Sequence, residues 1–368
     1  GLGIGVILDV VYNHLGPDGQ YLDRFARSIF SQTYENEWGD PLNFDGPGSE
    51  GVRRFFVENA AYWIREFHFD GLRFDATQQV FDASDLHVIA ECARAARAAA
   101  GARRLFLTGE NTPQDMRVVR KGEAGGFELD AIWNEDFQRA ARVALTGESV
   151  AYYADHRGSA AELAGATLYG FLYQGQRSGW EKQPRGTPVD GLPLARFVTF
   201  LENHDQVANS ARAERLAAIS DPALLRAITA LLLLGPQTPM LFQGQEFGAT
   251  RPFHYFADIS GDLGRGVREG RAGFMSQFPD ALPDVLADPT EEETFRRSVL
   301  DWSERDAHPE WLALHRDLIR IRRTDPVIAR QGADGLLAST PRPELAALRF
   351  LAADEGDGLF FTEEGFTT

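Results

Sequence analysis

The stretch that decides the fold of this chain is Gly71-Leu72-Arg73-Phe74-Asp75. It is short and apolar, and it ends on a carboxylate two positions after an arginine. An apolar run that stops at a charged residue is typical of a buried parallel strand that delivers one side chain to its C-terminal end. In barrel enzymes these strand ends carry the chemistry. We therefore predict that Asp75 lies at the centre of a functional site.

Three other apolar runs also lead into residues of catalytic type. They are Val6-Ile7-Leu8 before Asp9 and Asn13-His14, Leu105-Phe106-Leu107 before Glu110, and Phe197-Val198-Thr199-Phe200-Leu201 before Asn203-His204-Asp205. Strand and helix patterns alternate six times, which predicts parallel βα units. A (β/α)8 barrel is favoured over a doubly wound sheet, because the polar residues follow four different strands instead of gathering at one switch point.

Composition and charge limit the possible partners. The chain has 368 residues, enough for one large α/β domain and a small second one. Its net charge of -17 argues against nucleic acid or an anionic membrane as a partner and is compatible with a neutral sugar. The single Cys92 excludes an internal disulfide, and no apolar run approaches the ~20 residues that span a bilayer. We expect a cytoplasmic protein; its oligomeric state stays open.

Local patterns predict several helices and loops. Apolar residues recur at steps of three and four over residues 52–67, which predicts a helix behind the N-cap residue Ser49. Ser84 is predicted to cap a second helix that ends before the C′ glycine Gly101. The remaining predictions are a helix from Asp221-Pro222 to Leu234, a strand over Pro239 to Phe242, a long loop over residues 249–295, and a helix over Trp311 to Arg323.

Three acids follow predicted strands, namely Asp75, Glu110 and Asp205. A glycosidase needs two carboxyl groups at the scissile bond, one to attack or stabilise the cationic transition state and one to protonate the leaving oxygen. Arg73 lies two residues before Asp75, so both side chains point to the same side of a strand, and its charge would keep Asp75 ionised. Glu110 has no cation adjacent in sequence and could hold its proton, as an acid requires.

Two other classes of site are less well supported. Asp9, Asn13, His14, His204 and Asp205 could form a metal site, but the histidines lie far apart and no H-E-x-x-H or C-x-x-C spacing exists. A Ser-His-Asp hydrolase lacks its G-x-S-x-G elbow, and there is no P-loop. We therefore predict neither a metal site nor a cofactor.

The four strand ends resemble the four signature regions of the α-amylase superfamily, in order and in spacing. The matching stretches are Asp9-Val10-Val11-Tyr12-Asn13-His14, Gly71-Leu72-Arg73-Phe74-Asp75, Gly109-Glu110-Asn111 and Glu202-Asn203-His204-Asp205. The resemblance implies that Asp75 is the nucleophile, Glu110 the general acid/base, and Asp205 the third acid that stabilises the distorted sugar. It also implies retention of the α-configuration through a glycosyl-enzyme intermediate.

The same resemblance assigns the substrate-binding residues. His14, Arg73 and His204 would hold the glucose in the subsite before the cleaved bond, and Asn13 is grouped with them. Tyr12, Trp38 and Trp133 are candidate stacking platforms for sugar rings, with core packing as the alternative for each.

Further stretches are similar to those of the malto-oligosyltrehalose trehalohydrolases within that superfamily. They include Glu110-Asn111-Thr112-Pro113-Gln114, Trp133-Asn134-Glu135-Asp136-Phe137, Asn203-His204-Asp205-Gln206-Val207-Ala208-Asn209, and Gly244-Gln245-Glu246-Phe247. This likeness implies hydrolysis of the α-1,4 bond next to the terminal trehalose of malto-oligosyltrehalose. The alternatives are a glycogen branching enzyme, an α-amylase, or a non-catalytic glucan-binding protein on the same fold.

The resemblance also suggests how the chain is divided. Residues 1–330 are expected to form the catalytic barrel and residues 331–368 the start of a C-terminal β-sandwich domain. In the superfamily the strand before Asp9 is the third of eight, so we expect that the first two βα units are absent. A barrel without them would have open hydrogen-bonding edges, and we expect this segment to fold poorly outside a longer, active protein.

Overall fold

The computed structural model describes residues 2–16, 19–36, 38–282, 284–330, 336–351, 360–362 and 365–367. The chain forms two compact units. The first unit comprises residues 1–133 and 185–190, and the second comprises residues 134–184 and 191–368. No helix in the described part of the chain is both long enough and apolar enough to cross a membrane.

The first unit alternates strands and helices as the sequence predicts. Its elements are β1 Ile7–Val10, α1 Glu50–Glu66, β2 Gly71–Phe74, α2 Val88–Ala100, β3 Phe106–Gly109 and β4 Ala131–Trp133. Each strand is parallel to the next one along the chain. Parallel strands joined through helices form the βα units that the alternating pattern predicts.

The register of these strands determines which side chains meet. Asp9 on β1 is directly opposite Arg73 on β2, and Arg73 is opposite Thr108 on β3. Gly71 begins β2 where two backbones approach closely, since a Cβ atom there would lie 2.0 Å from the carbonyl oxygen of Phe106. The glycine therefore permits the spacing of β2 and β3, which places Arg73 opposite Thr108.

The two helices of this unit begin in different ways. Helix α1 follows Ser49 as predicted, but the Ser49 side chain makes no capping hydrogen bond. The prediction that Ser84 caps α2 is wrong, because the helix begins later and His87 is its N-cap. The Nδ1 atom of His87 accepts from the backbone N–H of Ile89, and Asp82 accepts from that of Val88. Helix α2 ends as predicted before Gly101, which has a φ of 60°.

The second unit contains the remaining elements. They are α3 Glu135–Thr146, α4 Ala160–Tyr169, β5 Phe197–Thr199, α5 His204–Ala208, α6 Leu216–Ile219, α7 Pro222–Leu234, β6 Thr238–Pro239, α8 Gly261–Met275, α9 Glu292–Ser298, α10 Ser303–Ala307, α11 Pro309–Thr324, β7 Leu336–Arg342, β8 Leu345–Phe350, β9 Phe360–Thr362 and β10 Gly365–Thr367. Strands β5 and β6 are parallel, whereas β7–β8 and β9–β10 are antiparallel pairs.

Helix α7 confirms its predicted start and end. Asp221 Oδ1 accepts from the backbone N–H groups of Ala223 and Leu224, both at 2.9 Å. Pro222 occupies the first helical position, where its missing N–H costs nothing. The helix ends at Leu234, and five of its residues from Ala230 onward are buried, so its apolar face supplies part of the core of this unit.

Two predictions for this unit are wrong. Residues 249–295 are not one long loop, because α8 and the start of α9 lie within them. Four glycines after the first residue of α8 hide the helical pattern in the sequence, yet buried Gly264 and Met275 pack near its two ends. The strand predicted over Pro239–Phe242 is shorter and ends at Pro239. Arg268 and Arg271 of α8 donate to Thr290 and to the end of α5, so contacts outside the helix accompany the weak intrinsic helix propensity of its glycines.

The proposed second domain, residues 331–368, is described only in part. Residues 331–335, 352–359, 363–364 and 368 lie outside the described residues. The β-rich pattern predicted there agrees with the hairpin β7–β8 and the pair β9–β10. The division at residue 330 stays a prediction.

Candidate active site

One buried arginine lies at the centre of the candidate site in the first unit. The Nη1 atom of Arg73 lies 2.7 Å from Oδ1 of Asp9 and 2.6 Å from Oδ1 of Asp75. Its Nη2 atom donates to Oε2 of Glu110. Three carboxylates from three successive strand ends therefore share one guanidinium group.

Burial strengthens the contacts of Arg73 with Asp75 and Glu110, whereas the Asp9 side chain is 52% exposed. The Arg73 side chain is 6% exposed, whereas those of Asp75 and Glu110 are 24% and 15% exposed. Burial acts to lower the pKa of Arg73, but the charges of Glu110, Asp9 and Asp75 outweigh it and raise that pKa above its usual value. Charge-assisted hydrogen bonds of this kind hold both the carboxylates and the guanidinium in fixed positions.

An aromatic ring supports the same guanidinium. The Cζ atom of Arg73 lies 4.4 Å from the centroid of the Trp133 ring, at the end of β4. Trp133 is 6% exposed. A cation over an indole face in a buried setting is attracted by the ring quadrupole. Trp133 therefore orients Arg73, a contact different from the sugar platform considered for it in the sequence.

The backbone places both acids just beyond their strands. The backbone N–H of Asp75 donates to Val10 O at 3.0 Å, and that of Glu110 donates to Phe74 O at 3.0 Å. Each acid therefore continues the parallel hydrogen-bond ladder by one step at its C-terminal end. The Thr77 hydroxyl donates to the carbonyl oxygen of Glu110 at 2.7 Å and fixes the loop that follows.

Asn13 and His14 approach Asp75 from the loop after β1. The Nδ2 atom of Asn13 lies 3.0 Å from Oδ2 of Asp75, so the two oxygens of that carboxylate receive different donors, Asn13 and Arg73. The Oδ1 atom of Asn13 bonds in turn to Nδ1 of His14. Burial lowers the pKa of His14, and the charge of Asp75 only partly offsets this. The Trp38 ring centroid lies 6.0 Å from that of His14.

His204 and Asp205 lie in the second unit, at the first two positions of α5. The side chain of Asn203 caps this helix, since its Oδ1 accepts from the backbone N–H of Gln206 at 2.7 Å. The Nε2 atom of His204 is 3.5 Å from Oδ2 of Asp205, and both side chains are 46% exposed. Both groups are accessible from solvent.

The side chain of Gln206 is held on three sides. Its Oε1 atom accepts from the hydroxyl groups of Tyr153 at 2.8 Å and Tyr152 at 3.1 Å. Its Nε2 atom donates to Oε2 of Glu135 at 3.2 Å. This network fixes the N-terminal part of α5, next to Asp205.

The structure brings five of the seven predicted site residues together in the first unit: Asn13, His14, Arg73, Asp75 and Glu110. Glu110 has no cation adjacent in sequence, but the fold supplies one, because Arg73 bonds to it from the adjacent strand. The sequence places Asp9 in the first strand-end stretch and considers it as a possible metal ligand, but not as a catalytic or substrate-binding residue. Its place near the C-terminal end of β1, opposite Arg73 in register, is the signal that assigns it to this group.

Metal ligation was the alternative use of some of these residues. Within the described residues, no group of three or more histidine, cysteine or acidic side chains has a geometry that could hold a metal ion. That the site needs no metal and no cofactor stays a prediction, as do the catalytic roles of the individual residues.

Comparison with known proteins gives relatives over most of the chain. No protein-family model matches it. A malto-oligosyltrehalose trehalohydrolase from Deinococcus radiodurans is 40% identical over 341 residues, which cover 91% of this chain and 55% of that protein. A second protein of that name, from Arthrobacter ramosus, is 42% identical over 334 residues, covering 89% of this chain and 57% of its own. The chain thus spans slightly more than half the length of these curated relatives.

A solved structure supports the fold. A crystal structure from Salmonella typhimurium, provisionally named an alpha amylase, has a TM-score of 0.87 and 36% identity, and the match covers 98% of this chain and 62% of that one. It confirms the α/β barrel class predicted from the strand and helix pattern. The resemblance to the α-amylase family, and within it to the malto-oligosyltrehalose trehalohydrolases, is thereby confirmed over about nine tenths of this chain.

Proposed function

We propose that this chain carries the catalytic residues of a retaining glycoside hydrolase that cleaves the α-1,4-glucosidic bond next to the terminal trehalose of malto-oligosyltrehalose and releases trehalose. The observation that carries the proposal is the Arg73 guanidinium, which connects Asp75 and Glu110. Retaining glycosidases hold their two carboxyl groups about 5 Å apart, closer than inverting enzymes do. Asp75 and Glu110 bond to the two terminal nitrogens of one guanidinium and are therefore close neighbours, which supports a retaining mechanism.

In the first step, an oxygen of Asp75 attacks the anomeric carbon while the bond from that carbon to the glycosidic oxygen breaks. Glu110 gives its proton to the departing oxygen of the trehalose unit. Water then attacks the glycosyl–Asp75 ester, Glu110 takes up its proton, and the sugar leaves with its original configuration. Arg73 and Asn13 each bond to one oxygen of Asp75 and thereby orient the carboxylate for attack.

The contact between Arg73 and Glu110 gives this mechanism a specific requirement. Glu110 protonates the leaving oxygen only after its Oε2 atom exchanges the Arg73 N–H for a bond to substrate. Asp205 acts as the third acid and stabilises the distorted sugar, and His14 and His204 contact the same glucose. The proposed partner is therefore a neutral malto-oligosaccharide, which suits a chain of net charge -17. The proposed compartment is the cytoplasm.

Product analysis tests this proposal. Incubation of the purified full-length protein with malto-oligosyltrehalose should release trehalose, and Asp75→Asn in that protein should abolish hydrolysis while retaining substrate binding. Asp262→Asn is the matched control, since the Asp262 side chain is 93% exposed and pairs only locally with Arg265 among the contacts described. Turnover by the Asp75 variant at the wild-type rate would falsify the role of Asp75.

A second candidate is another activity of the same superfamily, favoured by the alpha amylase name of the solved structure with 36% identity. An α-amylase would cleave internal bonds of amylose at least as fast as malto-oligosyltrehalose. A branching enzyme would create α-1,6 branches on amylose. A glucan-binding protein without activity would bind the substrate and leave it intact, an outcome that the intact set of three acids argues against.

A further inference from the structure

The short helix α5, which carries Asp205, is held at its far end by an arginine from α8. The Nη2 atom of Arg271 lies 2.6 Å from the carbonyl oxygen of Ala208, the last residue of α5. Its Nη1 atom lies 2.6 Å from Oδ1 of Asn209, the C-cap residue. Both groups of the guanidinium therefore bond to the C-terminal end of this helix.

This contact has a direct connection to Asp205. The backbone N–H of Asn209 donates to the carbonyl oxygen of Asp205 at 2.7 Å. Asn209, whose side chain accepts a hydrogen bond from Arg271, thus also closes the helical turn that begins at Asp205. A five-residue helix has little stability of its own, because the cost of nucleation exceeds the gain from so few hydrogen bonds. Contacts from outside the helix therefore set its position.

The charge of Arg271 suits the place it occupies. The C-terminal carbonyl groups of a helix carry a partial negative charge, so a cation is favourable there. The Cζ atom of Arg271 also lies 5.5 Å from the Tyr255 ring centroid and 5.7 Å from that of Phe274. These two aromatic rings limit the directions in which the guanidinium can move.

Electrostatics connect Arg271 to the acid itself. Burial lowers the pKa of Arg271, while Tyr152, Tyr255 and the Asp205 carboxylate act in the opposite direction. An arginine with a lowered pKa still carries its charge at neutral pH. Asp205 is thus within electrostatic reach of a half-buried cation that also fixes the end of its helix.

We propose that Arg271 is a positioning residue for Asp205, holding α5 so that the carboxylate meets the distorted sugar in the transition state. This inference rests on the proposed function, in which Asp205 is the third acid. A purely structural role for Arg271 predicts loss of stability alone. A positioning role predicts loss of turnover with little change in substrate binding.

The first test compares Arg271→Gln with Arg271→Lys. Because a misplacement of about 1 Å costs roughly 100-fold in rate, kcat of Arg271→Gln should fall by up to about that factor. KM should change by less than about threefold, since the lost interaction is made in the transition state. Arg271→Lys keeps a cation at the carbonyl groups and should recover part of the rate. The control is Arg265→Gln, an exposed residue of the same helix.

A double-mutant cycle with Asp205→Asn separates the two roles. If Arg271 acts through Asp205, adding Arg271→Gln to the Asp205 variant should lower its residual kcat by less than about twofold. Independent action predicts that the two losses multiply. Multiplicative losses, or a loss confined to KM, would overturn the proposal.

Hydrogen exchange gives a measurement that does not depend on activity. Arg271→Gln should speed exchange of the amides of residues 204–209, and most of all the amide of Asn209, while α7 keeps its wild-type exchange. If the wild-type protein releases no trehalose, the proposed function fails, but the exchange experiment still decides whether Arg271 holds the Asp205 helix. Unchanged exchange over residues 204–209 would refute the positioning role.

Discussion

The Nη1 atom of Arg73 lies 2.6 Å from Oδ1 of Asp75, two residues further along the same chain segment. The other end of the same guanidinium bonds to Glu110, 37 residues away. The first contact follows from the period of a strand, in which alternate side chains share a face. The second exists only because β2 and β3 are neighbours. In the proposed mechanism, one cation therefore sets the positions of both the nucleophile and the acid.

Arg73→Met should destabilise the protein and abolish turnover. Removing a buried cation leaves three carboxylates with no compensating charge, which typically costs about 3 kcal/mol in the free energy of unfolding. Denaturant unfolding measures the stability, and trehalose release measures the activity. The control is Arg97→Gln, which breaks a pair with Asp130 whose side chains are both 37% exposed. It should cost no more than about 1 kcal/mol. If the two variants lowered the free energy of unfolding equally, the proposed stabilising role of Arg73 would be contradicted.

Trp133→Phe and Trp133→Ala should differ in their effects. Phenylalanine keeps a ring beneath the Arg73 guanidinium, so the free energy of unfolding should fall by about 1 kcal/mol. Alanine removes the ring and leaves a cavity, and the cost should reach about 3 kcal/mol. Urea unfolding of both variants checks this. A loss of kcat in the alanine variant that the phenylalanine variant does not share would support the role of Trp133 in orienting Arg73.

Asp221→Ala should destabilise the protein by about 1 kcal/mol through the loss of a helix cap. Its carboxylate accepts from two backbone N–H groups at the start of α7, which would otherwise lack partners. Ser49→Ala is the matched control, because Ser49 occupies the N-cap of α1 without a side-chain capping bond. Thermal unfolding should show almost no change for the serine variant. The prediction is wrong if the two variants lower stability equally.

Gly71→Ala and Gly51→Ala should have effects of opposite sign. A Cβ atom at Gly71 would lie 2.0 Å from the carbonyl oxygen of Phe106, so β2 and β3 would have to separate, at a cost of about 3 kcal/mol. A Cβ atom at Gly51 meets nothing within 4 Å, and Gly51 lies in helix α1. Alanine there should stabilise the protein by about 0.5 kcal/mol. Denaturant unfolding measures both effects: at an unchanged dependence of the unfolding free energy on denaturant concentration, the midpoint should fall for Gly71→Ala and rise for Gly51→Ala.

His87 should make stability depend on pH. Burial lowers its pKa from 6.5 to about 4, and the charge of Asp82 only partly offsets this. Between these values the unfolded chain binds a proton at His87 and the native protein does not. The free energy of unfolding should therefore fall as the pH falls from 6.5 to about 4.

The structure explains this direction for His87. Its Nδ1 atom accepts from the backbone N–H of Ile89 and its Nε2 atom faces the carbonyl oxygen of Val80, so a second proton would displace the capping bond. In His87→Gln, the fall in stability over this pH range should be smaller, by at most roughly 3 kcal/mol. Unfolding of the two proteins at pH 4.5 and 7 tests this, and an identical pH dependence would exclude His87 as its source.

The sequence by itself determined the elements whose signals are local. Apolar residues that recur at steps of three and four up to Phe67 define α1, and the Asp221-Pro222 pair defines the start of α7. Apolar runs that end on a charge place Asp75 and Glu110 at strand ends. Such features depend on residues only a few positions apart, where backbone geometry leaves few alternatives.

The tertiary structure decided the contacts between residues far apart in sequence. That Arg73 bonds to Glu110 as well as Asp75 depends on the pairing of β2 with β3, and its contact with Trp133 depends on the position of β4. Helix α8 is hidden in the sequence by its glycines, which have low helix propensity, and its Arg271 bonds to residues 62 and 63 positions earlier in the chain. These outcomes are set by which surfaces the folded chain buries together, and a local pattern of residues does not contain that information.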